Sequence, residues 1–158
     1  MTWQDVISDQ SLQNLPYKIE LNERGKIVMS PATNMHGILQ MLIGATLMQL
    51  RNNGSSISEC SIQTSQNVKV ADVAWMSRQF YNAHKHETPF LEAPEICIEI
   101  VSPSNTQEEM LEKQGLYFEQ GAKEVWFCTL KGQLQFFDST GKLEQSALFA
   151  DFPKQLNT

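Results

Sequence analysis

The stretch Glu95–Leu130, EICIEIVSPSNTQEEMLEKQGLYFEQGAKEVWFCTL, decides the fold. It opens on Glu95–Val101, where Ile96, Ile98 and Ile100 alternate with Glu95, Cys97, Glu99 and Val101. Period-two alternation predicts a strand, because successive side chains point to opposite faces. Ser102-Pro103-Ser104 turns the chain, and Thr106–Gln120 reads as a helix ended by Gly121. The expected buried stripe of that helix is Met110, Leu111, Gln114, Tyr117 and Phe118, with Lys113 at its border. Val125–Leu130 is an apolar run and reads as the next strand.

Upstream, Thr2–Ser8 reads as a short helix with Thr2 and Asp5 spaced as a capping box. Lys18–Asn22 and Lys26–Ser30 flank Glu23-Arg24-Gly25 and predict a β-hairpin. Met35–Arg51 has helical periodicity, with Thr33 or Asn34 as N-cap and Asn53-Gly54 as the stop signal. Its expected apolar face is Met35, Ile38, Leu39, Leu42, Ile43, Thr46, Leu47 and Leu50. Gly37 and Gly44 within it predict close packing, since each costs about 1 kcal/mol relative to Ala in a helix. Ser56–Thr64 and Val68–Met76 are strand candidates, and Ser77–Pro94 reads as a polar loop. Downstream, Gly132–Asp138 and Leu143–Phe149 predict a closing hairpin or meander. The order gives an α/β protein of the α+β kind, a mixed sheet flanked by two main helices.

The 158 residues, 41% apolar and 19% charged, fit one globular domain from 1 to 158. No apolar run reaches the roughly 18 residues of a membrane span; the longest candidate, Gly37–Leu50, is broken by Gln40, Thr46 and Gln49. The first residues, MTWQDVISDQ, have no basic region followed by an apolar one, so the expectation is a cytoplasmic protein. Cys60, Cys97 and Cys128 are odd in number and lack CxxC spacing, which argues against a disulfide framework or a zinc site. Cys97 and Cys128 read as small buried hydrophobes. The net charge of −6 is awkward for a nucleic-acid binder, although carboxylates gathered around a bound metal would inflate it.

Two acids stand inside apolar strands. Asp72 lies in VKVADVAW and Glu99 in CIEIV. A charge in a strand centre is costly unless it is paired or ligates a metal, and hard cations such as Mg²⁺ take one or two carboxylates. The competing readings are a strand-end Asp72 and a solvated strand face for Glu99, the latter supported by Glu95 on the same face. Lys113 follows on the helix after Glu99; locally it reads as an ordinary exposed lysine. Glu20 in the hairpin and His36 at the start of the long helix are weaker candidates. His84-Lys85-His86 reads as a solvated loop.

The set formed by GKIVMSP (Gly25–Pro31) with His36, then VADVAW, IEIVSPSN and EKQGLYFEQGAKEVWF, resembles the Uma-two family of restriction-endonuclease-type proteins over about Tyr17–Phe137. That family is placed in the PD-(D/E)XK nuclease superfamily. The resemblance implies a restriction-endonuclease-like core and a metal-dependent endonuclease acting on DNA with Mg²⁺ or Mn²⁺, as a homodimer. It implies that Asp72 and Glu99 are the metal-binding acids and that Lys113 replaces the usual lysine two residues after the acid, where Val101 stands. Glu20 and His36 match the family's N-terminal glutamate and helix-start histidine. Ala71 stands where the superfamily's motif has proline. The alternative is a catalytically degenerate nuclease fold that binds DNA or protein, favoured by the acidic balance and the missing motif lysine.

Overall fold

A computed structural model describes residues 1–158. Helix α1 (Trp3–Ser8) starts with the expected Thr2–Asp5 capping box, and a 3₁₀ turn (Gln10–Leu12) follows. Strands β1 (Tyr17–Leu21) and β2 (Ile27–Pro31) pair antiparallel as a separate two-stranded sheet. Helix α2 (Asn34–Leu50) is capped by Thr33, whose side chain accepts from the His36 amide.

Strands β3 (Gly54–Thr64) and β4 (Asn67–Ser77) open a six-stranded sheet, continued by β5 (Ile96–Val101), β6 (Glu124–Thr129), β7 (Leu134–Asp138) and β8 (Gly141–Leu143) in that order. All neighbours are antiparallel except β5 and β6. The parallel pair is joined by helix α4 (Gln107–Glu119), as parallel strands require a crossover. The expected mixed sheet with helices on it is thus what the chain forms.

Two apolar layers cover the sheet. Leu39, Ile43 and Leu47 of α2 pack on Val73, Trp75, Ile98 and Trp126. Tyr117 of α4 packs on the other side with Ala74, Met76, Cys97 and Val125. Burying a Leu or Ile side chain of this kind contributes about 1.5–3 kcal/mol. All three cysteines are free and buried within these layers. Gly54 admits no side chain, because a Cβ there would come within 2.4 Å of the Trp75 ring and the Met76 carbonyl.

Several sequence expectations are corrected. Ser77–Pro94 is not wholly a loop: helix α3 (Arg78–His84) begins on Ser77, whose hydroxyl accepts from the Phe80 amide. Phe80 then meets Phe90 edge to face and packs on the His84 ring, so His84 is the helix end, 3.0 Å from Glu87, rather than part of a solvated loop. Leu143–Phe149 is strand only at its first residue; the rest folds back as a loop that encloses the Glu124 carboxylate. Leu111 is exposed, and the buried positions of α4 are Met110, Leu116 and Tyr117. Ile38 and Leu50 of α2 are likewise exposed. A Cβ on Gly37 would meet nothing, and one on Gly44 would meet only the Ser56 Cβ at 3.9 Å, so close packing does not account for either glycine.

Candidate active site

The β4–β5 ladder runs Trp75↔Ile96, Ala74↔Cys97, Val73↔Ile98, and there it stops. Asp72 and Glu99 are the next residues in that register. The strands part, and Asp72 Oδ2 accepts the Ile100 amide at 2.7 Å. On the other side of β4 the pairing also lapses opposite Asp72, where Glu59 takes φ 52°. Gln40 of α2 reaches into this gap and donates to the Asp72 carbonyl at 2.9 Å and to Glu59 at 2.6 Å. Asp72 and Glu99 therefore stand in an opening between strands. Glu99 does not lie on a solvated face: its side chain is 3% exposed and that of Asp72 2%.

The hairpin and α4 converge on this opening. Lys113 Nζ donates to Glu20 Oε1 at 2.8 Å and lies 3.4 Å from both Glu99 oxygens. Glu20 also accepts the Val70 amide, which ties β1 to β4. His36 Nε2, one turn into α2, lies 3.1 Å from Asp72 Oδ1. All five residues singled out in the sequence thus meet in one cluster.

Two members escaped the sequence reading. Lys18 Nζ donates to Asp72 Oδ1 at 2.9 Å and to Glu99 Oε2 at 3.0 Å, and lies 3.9 Å from Glu20. Tyr117 donates its hydroxyl to Glu99 Oε1 at 2.6 Å. Signals for both were present. Lys18 is two residues from Glu20 and shares its strand face. Tyr117 is four residues after Lys113 and shares its helix face.

The charges settle one another. Burial alone would push the Lys18 ammonium down, but the Glu99, Asp72 and Glu20 carboxylates outweigh it and hold the group well above the ordinary lysine range. Burial raises Asp72, and Lys18 and His36 overcome this, leaving it well below the usual carboxylate range. Glu20 is lowered because Lys113 and Lys18 outweigh its burial. Glu99 goes the other way: complete burial wins over both lysines and raises it. Two acids on adjacent strands are thus pushed apart in pKa, as at sites where carboxylates have different work to do. The hydrogen bond to Asp72 raises His36.

Lys18, His36, Asp72, Glu99 and Lys113 line a pocket of about 250 Å³, together with Met29–Ala32 at the end of the hairpin and Ser102, Ser104 and Asn105 of the turn after β5. Its donor set suits a hard divalent cation. Asp72 Oδ1 and Glu99 Oε2 are carboxylate oxygens aimed at a common point, now marked by Lys18 Nζ. No three His, Cys, Asp or Glu side chains form a ligand group on their own. Two carboxylates are the complement Mg²⁺ commonly takes, with waters and substrate oxygens filling its remaining positions.

A mixed sheet with paired acids and a lysine at a strand opening has the form of a nuclease core. The chain matches the family described as "Uma2: Putative restriction endonuclease" over residues 8–151 and belongs to that family. Among solved structures it is similar to a crystal structure of a putative nuclease from Anabaena variabilis ATCC 29413, with TM-score 0.68 and 17% identity, covering 95% of this chain and 91% of that one. At that identity the likeness concerns the fold. No curated protein matches the chain. No helix is long and apolar enough to cross a membrane.

Proposed function

We propose that this chain is one domain and acts as a cytoplasmic, metal-dependent endonuclease that hydrolyses phosphodiester bonds in DNA as a homodimer, with Asp72, Glu99 and Lys113 as its catalytic residues. The observation that carries the reading is the meeting of these three in one pocket at the parting of β4 and β5. Asp72 and Glu99 would hold Mg²⁺ or Mn²⁺. When bound, such an ion polarises a phosphodiester and acidifies a water. Lys113, held by Glu20 beside Glu99, orients the nucleophile or meets the charge that develops on the phosphoryl oxygens. Tyr117 fixes the Glu99 carboxylate through its hydroxyl. His36 holds Asp72 at Oδ1 and stays protonated to higher pH than an ordinary histidine. The uncharged outer face of α2, where Ile38, Met41 and Met48 are exposed, supports a dimer of two like surfaces.

A second reading, a degenerate nuclease fold that binds without cutting, is favoured by Lys18. Its ammonium pairs with both acids without any metal. Supercoiled plasmid separates the two. The endonuclease nicks it in Mg²⁺ or Mn²⁺ but not in EDTA, and folded Glu99→Gln does not. Retained DNA binding with no turnover in either metal supports the binding module instead.

A further inference from the structure

We propose that Lys18 is a resident counter-cation of the Asp72–Glu99 pair, and that a divalent metal enters this site by exchange with the Lys18 ammonium. The inference rests on the metal-dependent reading above. Lys18 Nζ touches an oxygen of each acid, at 2.9 and 3.0 Å, and its side chain is 9% exposed. Lys113 reaches Glu20 and Glu99 but not Asp72, and His36 reaches Asp72 but not Glu99. Lys18 alone spans the pair. It therefore holds the position in which one cation satisfies both carboxylates.

An ion held by those same oxygens at about 2 Å would crowd and repel an ammonium lying about 3 Å from each. The two cannot share one side of the pair. Lys18 can move because its charge sits on a flexible four-carbon stem, and because it lines the same pocket as Ser102, Ser104 and Asn105. It also comes from the two-stranded sheet rather than from the sheet that carries Asp72 and Glu99. Its departure need not break the β4–β5 framework. Exchange has a thermodynamic consequence. The site binds metal only from the fraction of molecules in which Lys18 has left, so affinity falls by that fraction. The metal-free fold, in turn, keeps both acids paired with a cation.

Calorimetric titration of the full chain with Mn²⁺ alone tests this, with Lys18→Met and Lys18→Arg beside the wild type and circular dichroism to verify folding. Lys18→Met is expected to bind Mn²⁺ at least about tenfold tighter than wild type, and Lys18→Arg no tighter. Equal or weaker binding by folded Lys18→Met overturns the exchange and leaves the metal reading standing. No Mn²⁺ binding by any of the three overturns the metal reading itself, and the exchange with it. A second measurement needs no variant. Acetylation of lysines, read by mass spectrometry, should find Lys18 protected in EDTA and several-fold more reactive in saturating Mn²⁺. Unchanged Lys18 reactivity under saturating Mn²⁺ overturns the exchange.

Discussion

The Asp72 carboxylate holds the Ile100 amide at 2.7 Å, so a side chain on β4 takes over where the backbone ladder to β5 ends. Its other oxygen faces Lys18 and His36. Asp72 therefore supports the fold as well as the pocket.

Removing it should destabilise the metal-free protein. In Asp72→Ala the Ile100 amide, Lys18 and His36 all lose a buried partner. Breaking one side of a buried ion pair costs about 3–5 kcal/mol. Urea unfolding in EDTA should show a loss of that order. An unchanged or higher stability would mean that Asp72 is held against repulsion, and that its neighbours do not neutralise it.

The His36–Asp72 pair should make stability depend on pH in a defined direction. Asp72 raises His36 above its ordinary 6.5. A group whose pKa rises on folding binds its proton more tightly in the native state. Its contribution is therefore fully present below pH 6.5, the unfolded value, and is lost as pH climbs through the raised folded value. In metal-free protein, the stability gap between wild type and His36→Gln should shrink steadily as pH rises above 6.5. A gap that stays constant across this range would show that the pair carries no proton linkage.

Glu124 offers a contrast. It is as buried as the site acids, yet it accepts from Trp126 and Ser146 at 2.7 Å and from the Ala147 and Leu148 amides at 2.8 and 3.1 Å. Every one of these partners is a neutral donor from β6 or from the segment after β8. Hydrogen bonds to a charged group contribute about 1.5–3 kcal/mol each, and are not additive. Glu124→Ala should cost several kcal/mol in thermal or urea unfolding. Metal-dependent cleavage measured well below its melting temperature should match wild type. Lost cleavage in a folded Glu124→Ala would place this acid within the site's reach.

The strands up to β7, both long helices and the hairpin were legible because each carries a local signal: alternation, helical spacing, a cap or a turn. Asp72 and Glu99 were legible for the same reason, as charges that apolar strands do not otherwise tolerate. Glu124 was not, because it opens its strand, and its partners come from a loop whose path no local pattern encodes. Helix α3 was missed because seven residues carry too little periodicity, and its stability comes from the Ser77 cap and the Phe80–Phe90 contact. Lys113 needed the family pattern, since a lysine on a helix border reads as solvated until its acid partners are placed. Lys18 was hardest. Its role depends on a hairpin lying against β4, which brings together residues 54 and 81 positions apart. The partial burial of α2 has a similar origin: which of its apolar residues meet the sheet is set by the docking of the helix.

The most direct test of the metal pair is anomalous diffraction from crystals grown or soaked with Mn²⁺. A peak should appear between β4 and β5, about 2 Å from one oxygen of Asp72 and one of Glu99. A peak elsewhere, or none in crystals of protein that cuts DNA in Mn²⁺, would contradict the assignment of Asp72 and Glu99 as the metal-binding acids.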